Sequence, residues 1–166
     1  TGHTHTAVGS GALGANTTGS HSTAVGYLTL SSNTTGEKNT AIGYDALGAN
    51  TTADNNTAVG YNALTANTTG ANNTAVGQGA LLTNSTGSDN VAVGDDALRL
   101  NTGSYNTAAG KSALQSNTTG IRNDAFGYEA GKTNPVYRRN VVADRAKTNQ
   151  RNYNTYGSGK KFGGNY

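Results

Sequence analysis

A period of 17 residues runs through most of this 166-residue chain. The block Thr-Ala-Val-Gly, or a variant of it, begins at Thr6, Thr23, Thr40, Thr57, Thr74, Val91, Thr107 and Asp124. Every step is 17 residues except one of 16, where a residue is missing near Gly103. A fixed short period predicts a repeat architecture, in which each unit contacts only its neighbours. Such repeats form rods and surfaces more often than catalytic pockets.

One unit is too short for a helix pair or a propeller blade, but it fits one rung of a parallel β-solenoid. We expect two short strands per rung, roughly Thr-Ala-Val-Gly-Tyr and x-Ala-Leu-x-x, joined by two turns. The predicted fold is therefore an all-β parallel β-solenoid, or β-roll, of eight to nine rungs spaced about 4.8 Å apart. Residues 1–134 form the solenoid, and residues 135–166 form a degenerate last rung and a basic tail rich in Tyr, Gly and Asn.

Two apolar columns are predicted to form a continuous core. They are Val8, Val25, Ile42, Val59, Val76, Val93 and Phe126, and Leu13, Leu30, Leu47, Leu64, Leu81, Leu98 and Leu114. Small Ala109 sits beside large Phe126 in the first column, which is typical of volume compensation in a stacked core. The sequence leaves open which of the adjacent Ala and Val residues faces inward. A narrow roll buries one of them inside and the other against a neighbouring chain.

Two further kinds of column mark the turns. Gly recurs after each Val position, and a second Gly closes most units, so we expect bends at both places. Stacked Asn side chains can hydrogen-bond along a column, as in cross-β ladders. The predicted Asn ladder is Asn16, Asn33, Asn50, Asn67, Asn84, Asn101 and Asn117. Tyr27, Tyr44 and Tyr61 also stack by the period, which indicates rung packing, with carbohydrate adhesion as the alternative.

Composition narrows the class of protein. Only 33% of the residues are hydrophobic and 13% are charged, which without the period would indicate disorder. The absence of Cys excludes disulfides and thiolate metal sites. The absence of Met, together with the richness in Gly, Asn and Thr, predicts a secreted or cell-surface protein whose signal peptide has been removed. No apolar run approaches the ~18 residues of a membrane-spanning helix.

Charge divides the chain into two parts. Residues 1–131 carry 4 basic and 8 acidic residues, a net charge of −4, whereas residues 132–166 carry 8 basic residues and 1 acidic residue, a net charge of +7. We expect the basic tail to dock on the acidic body of a neighbouring subunit. The predicted subunit contacts are Tyr137, Arg138, Arg139, Val141, Val142, Arg145, Tyr153, Tyr156, Lys160, Lys161, Phe162 and Tyr166.

The Ala-Val/Ile-Gly rungs resemble the head repeats of YadA-type trimeric autotransporter adhesins, which are left-handed parallel β-rolls. Arrays of Asn-Thr-Ala-Val-Gly-Tyr-x-Ala-Leu are also similar to those of bacterial surface proteins and phage fibres. The likeness covers about residues 5–134. It implies a homotrimer that contacts a surface or glycan receptor. The YadA-type unit is shorter, however, and this chain shows no heptad stalk.

No catalytic constellation emerges, so we predict that the chain is not an enzyme and has no cofactor. Gly9-x-Gly11-x-x-Gly14 matches a dinucleotide fingerprint only by its letters, because no helix is predicted to follow it. His3, His5 and His21 are exposed terminal histidines in our interpretation, with a metal cluster as the alternative. The tail interleaves aromatic and basic residues as single-strand nucleic-acid binders do, but the acidic body would repel phosphates. We therefore predict no nucleic-acid partner and no metal.

These patterns predict a structural subunit that assembles with itself. The repeats begin almost at once and no capping element is evident, and an uncapped solenoid favours end-to-end stacking. We expect a secreted subunit that polymerises head to tail into an extracellular filament. The alternative is a trimeric adhesin or phage-fibre head.

Overall fold

A computed structural model describes residues 4–133 and the strand residues 141–142 of the chain. The described residues form one parallel sheet in which the strands follow one another in chain order. The strands are β1 (Thr6–Val8), β2 (Thr23–Val25), β3 (Thr40–Ile42), β4 (Thr57–Val59), β5 (Thr74–Val76), β6 (Val91–Val93), β7 (Thr107–Ala109), β8 (Asp124–Phe126) and β9 (Val141–Val142). The chain makes about seven turns of a β-solenoid from β1 to β8. The predicted fold class is confirmed.

The strands stack with the register of the sequence period. Thr40 pairs with Thr57, and Ala41 pairs with Ala58. The short step near Gly103 appears between β6 and β7, where Val91 pairs with Thr107. The last pairing, Ala125 with Val141, is also 16 residues apart. A strand therefore lies where the degenerate last rung was expected, but it is one residue off the spacing that relates Asn123 to Asn140.

Each rung contains one strand, so the prediction of a second strand was wrong. The x-Ala-Leu segment is a turn in every described rung. Its Leu residues adopt left-handed backbone angles, with φ of 52° at both Leu47 and Leu64, and Asn62 two residues before Leu64 has φ of 54°. Non-Gly residues adopt this conformation rarely, because Cβ then crowds the backbone. Local propensity therefore gave no reason to expect it.

The interior of the roll consists of one Leu column and two Ala columns. Leu30, Leu47, Leu64, Leu81, Leu98 and Leu114 are each fully buried. The two Ala columns are equally buried; they are Ala24, Ala41, Ala58, Ala75, Ala92, Ala108 and Ala125 in the strands, and Ala46, Ala63, Ala80, Ala97, Ala113 and Ala130 in the turns. Burial of each Leu side chain contributes about 1.5–3 kcal/mol, and stacking makes the burial continuous along the rod.

The Val column is not part of this core, which corrects the sequence prediction. Its members Val8, Val25, Ile42, Val59, Val76, Val93 and Phe126 are exposed or half-buried on the outer surface. Val93 is 43% and Phe126 is 46% exposed. Successive strand residues point to opposite faces, so the inward turn of each strand Ala forces the next residue outward. The exchange between Ala109 and Phe126 therefore lies on the surface and does not compensate volume in the core.

The two Gly columns meet different needs. Gly77 has φ of 131°, and a Cβ at this position would lie 2.5 Å from the carbonyl oxygen of Gly94 in the next rung. A Cβ at Gly36 would likewise lie 2.5 Å from a carbonyl oxygen of the next rung, that of Ala53, and also 2.5 Å from Asn33 Oδ1 of the ladder. The first column thus permits a left-handed bend, and the second makes room for the Asn ladder.

Candidate functional site

The Asn column runs through the solenoid as a directional ladder. Asn33 Nδ2 donates to Asn16 Oδ1 at 2.9 Å, and Asn50 Nδ2 donates to Asn33 Oδ1 at 2.9 Å. Asn67 Nδ2 continues the series to Asn50 Oδ1 at 3.0 Å. In each bond the amide of the later rung donates to the carbonyl oxygen of the earlier rung. The ladder therefore has a donor at its N-terminal end and an acceptor at its C-terminal end.

A second buried Asn column, which sequence reasoning missed, runs beside the strands. Its members are Asn39, Asn56, Asn73, Asn90, Asn106 and Asn123. The backbone N–H of Asn56 donates to Asn39 Oδ1 at 2.9 Å, and Asn39 Nδ2 donates to the carbonyl oxygen of Ala53 at 2.8 Å. The near-constant Asn before each Thr-Ala-Val block was the signal that would have revealed it.

Among the described residues, no strand covers the outer edge of β1, the first strand of the sheet. All three residues of β1 are exposed, although the equivalent Ala in each of β2 to β8 is fully buried. Leu13 is only partly buried for the same reason. His5 stands at the start of the second Asn column, where Nδ1 accepts the Ser22 N–H at 3.2 Å and Nε2 lies 2.8 Å from Gly19 O. The imidazole thus reproduces the two contacts of an Asn carboxamide, and the first rung keeps the geometry of an interior rung.

Two buried acceptors in the rung of β7 have no donor among the described residues. Asn117 and Asn123 are both fully buried. Within the described residues, Asn117 Oδ1 and Asn123 Oδ1 have no hydrogen-bond partner. In interior rungs the equivalent Asn of the next rung supplies these donors, and here those positions, Asn134 and Asn140, lie outside the described residues.

The predicted tail contacts lie almost entirely outside the described residues. Val141 and Val142 are placed as the strand β9, and nothing further is described of them. His3 also falls outside the described range, as do the remaining tail residues, Tyr137, Arg138, Arg139, Arg145, Tyr153, Tyr156, Lys160, Lys161, Phe162 and Tyr166.

The outer surface carries an aromatic stack beside the Val column. The rings of Tyr27 and Tyr44 are stacked with centroids 5.2 Å apart, and those of Tyr44 and Tyr61 are 5.0 Å apart. Because the ring faces contact one another, the inner ring of the stack offers a ligand mainly its edge. This geometry suits rung packing better than the stacking of a sugar on a ring face.

Charged groups cluster in the later rungs. Lys111 Nζ lies 3.6 Å from Asp95 Oδ2, and Lys132 Nζ donates to Glu129 Oε1 at 2.7 Å, which raises the pKa of Lys132. These pairs are exposed and add little to stability. In the described part of the chain, no three His, Asp or Glu side chains are grouped closely enough to hold a metal ion.

The fold defines a parallel β-solenoid repeat protein. No protein-family model, curated protein sequence or solved structure matches this chain. The structure thus supports the solenoid architecture, and no comparison supports identity with YadA-type or phage-fibre repeats. Across the described residues, no helix has the length and apolar character needed to cross a membrane.

Proposed function

We propose that the protein is a secreted structural subunit that stacks head to tail into an extracellular filament. The observation that carries this proposal is the exposed first strand of the sheet. The sheet has β1 at one edge and β9 at the other, and all three residues of β1 are exposed. A β-strand edge with unpaired backbone groups is a template for another strand. A contact between unlike ends does not close on itself and so generates a fibre.

The ladder supports a single polarity of stacking. Its donors all point toward the N-terminal end and its acceptors toward the C-terminal end, so the N-terminal end of one subunit matches the C-terminal end of another. Like ends would bring donors against donors or acceptors against acceptors. We expect the added rungs to continue the parallel sheet of the preceding subunit.

The basic tail strengthens this junction in our proposal. Residues 132–166 carry a net charge of +7 and residues 1–131 a net charge of −4, so the tail is attracted to the body of a neighbouring subunit. Removal of residues 135–166 should abolish filaments or shorten them strongly in electron micrographs. Filaments of normal length from the truncated chain would contradict the role of the tail, but not the stacking of the ends.

A charge placed at the N-terminal rung tests the stacking itself. Ala7 lies at the exposed end, in the column that is buried in later strands. Ala7→Lys should prevent filament formation while leaving the circular dichroism spectrum of the subunit unchanged. Thr52→Lys, at an exposed turn, is the matched control and should form normal filaments. Ala7→Lys filaments that equal the control in number and length would overturn the proposal.

The exposed Val column favours one other candidate, a side-to-side trimer that acts as an adhesin or phage-fibre head. Such a trimer needs an apolar outer column, and the solenoid has one. Analytical ultracentrifugation separates the two candidates. A discrete trimer with no larger species would favour the adhesin head, whereas polydisperse, concentration-dependent polymers would favour the filament.

A further inference from the structure

We propose that the outer face of the sheet joins two filaments side by side, by packing against the same face of a second copy. We call this surface the strand face and define it as the outward-pointing first and third residues of β1 to β7. This proposal rests on the proposed filament, because it assigns a lateral role to a surface that end-to-end stacking leaves uncovered.

The strand face is uncharged and carries a regular pattern of side chains. Its first column is Thr except for Val91, and its third column is Val or Ile except for Ala109. Each of β2 to β8 places its central Ala inward, so these two columns share the outer surface. Ile42 is 39% and Val76 is 36% exposed. The first charged residue of the column is Asp124 in β8.

The spacing of the rungs indicates which partner the strand face can bind. The rungs repeat about every 4.8 Å, so a partner must have the same repeat to keep its contacts in step along the rod. A second copy of this chain has the same repeat because its rungs are identical. Two such sheets can pack about 10 Å apart, with Val and Thr side chains interdigitating in a dry contact.

The area of the face explains why pairing would depend on filament formation. Seven rungs about 4.8 Å apart, each with a three-residue strand that rises about 3.3 Å per residue, cover roughly 330 Å² on one subunit. A stable complex of separate proteins buries about 800 Å² on each partner. A single subunit falls short of this area, but subunits joined end to end present many such faces at once, and their contributions combine. Isolated subunits should therefore not pair, whereas filaments should.

The double variant Ile42→Lys/Val76→Lys tests this proposal. Both side chains are exposed, so the substitutions should leave the fold intact. The matched control is Thr52→Lys/Thr86→Lys, which places the same charges on exposed turns of the same two rungs. Low-speed sedimentation collects bundles, high-speed sedimentation collects single filaments, and electron microscopy shows which is present.

We expect the wild type and the control to pellet at low speed as paired filaments. The low-speed pellet of the strand-face variant should be at least about tenfold smaller than that of the control. Its high-speed pellet should be unchanged. Equal low-speed pellets for variant and control would overturn lateral pairing. Single wild-type filaments that stay unpaired, or that instead sediment with insoluble cellulose or chitin, would also overturn it. Absence of any filament in the high-speed pellet would overturn the proposed function itself.

Discussion

The regular rungs of residues 23–90 and the short rung of residues 91–106 share the same strands and the same core but differ in one turn. In a regular rung, Asn67 Nδ2 donates to the carbonyl oxygen of Gly70, three residues later, at 2.9 Å. In the short rung, Asn101 Nδ2 donates to Gly103 O, two residues later, at 2.7 Å. The missing residue is therefore absorbed between Asn and Gly, and the turn still closes.

This deletion breaks the Asn ladder. Asn101 Nδ2 does not reach the previous rung, and within the described residues Asn84 Oδ1 is buried without a partner. The ladder resumes one rung later, where Asn117 Nδ2 donates to Asn101 Oδ1 at 2.7 Å. The comparison teaches that strand register and core burial tolerate a shortened turn, whereas the Asn ladder that runs through that turn is interrupted. The second Asn column lies outside the turn and continues, since the Asn106 N–H donates to Asn90 Oδ1 at 2.9 Å.

Substitutions in the core should have the largest effect on the free energy of unfolding, and this effect should be equal in the regular rungs and the short rung. Leu64→Ala in a regular rung and Leu98→Ala in the short rung each remove a fully buried side chain. Each should lower the free energy of unfolding by about 2–5 kcal/mol, since a cavity remains after the transfer term is lost. Urea denaturation followed by circular dichroism measures both. A much smaller loss for Leu98→Ala would show that the deletion has loosened the core.

Substitutions in the Asn ladder should lower the free energy of unfolding by different amounts in the regular rungs and next to the short rung. Asn50 donates to Asn33 Oδ1 and accepts from Asn67 Nδ2, so Asn50→Ala breaks a bond on each side and should cost about 2–3 kcal/mol. Within the ladder, Asn84 makes only a long bond of 3.5 Å to Asn67 Oδ1 and has no partner for its own Oδ1. Its bond to Gly87 O at 2.9 Å has a counterpart in the bond from Asn50 to Ala53 O, so Asn84→Ala should cost less than Asn50→Ala, about 1 kcal/mol. Equal losses in urea denaturation would contradict the broken ladder.

Repair of the short turn should stabilise the protein. Insertion of one Thr after Thr102 restores the Asn-Thr-Thr-Gly turn of the regular rungs and brings a donor back toward Asn84 Oδ1. The unfolding free energy should rise by about 1 kcal/mol. The same insertion after Thr68 lengthens a turn that is already complete, and we expect it to destabilise the chain. A loss of stability from the insertion after Thr102 would argue against this reading of the deletion.

Substitutions of the exposed Tyr rings should show the smallest difference in stability between the regular rungs and the short rung. Tyr44 stacks on two neighbouring rings in the regular region, so Tyr44→Ala should cost about 1 kcal/mol. Tyr105 in the short rung has one cation–π contact, with Arg122 Cζ 5.6 Å from its ring centroid, and Tyr105→Ala should cost about 0.5 kcal/mol. Thermal melts of the two variants check the order, and a larger shift for Tyr105→Ala would reverse it.

The period alone was enough to predict the stacking of the rungs and the buried Leu column, but not that the x-Ala-Leu segment is a turn. It did not decide which face of each strand points inward, because Ala41 and Ile42 are adjacent and both apolar. The larger residue was placed in the core, but the roll is narrow enough to admit only Ala there. The uniformity of the strand Ala across all eight units, against the variation from Val to Phe one position later, was the available signal.

Other features could not be predicted from the sequence. Left-handed φ angles at Leu47 and Asp45 arise from stacking constraints that override local preference, so the second strand was predicted where a turn occurs. The break of the Asn ladder at Asn84 Oδ1 depends on side-chain geometry in the shortened turn, which no column pattern indicates. The tail beyond residue 142 lies outside the described residues, and its docking stays a prediction.

X-ray fibre diffraction of oriented native material tests the central claim, that solenoids stack end to end along the filament axis. Because the strands lie across the rod, the account predicts a meridional reflection near 4.8 Å and an axial subunit repeat of about 40 Å for eight to nine rungs. Discrete short particles with threefold symmetry, or fibres whose 4.8 Å reflection lies on the equator, would contradict it.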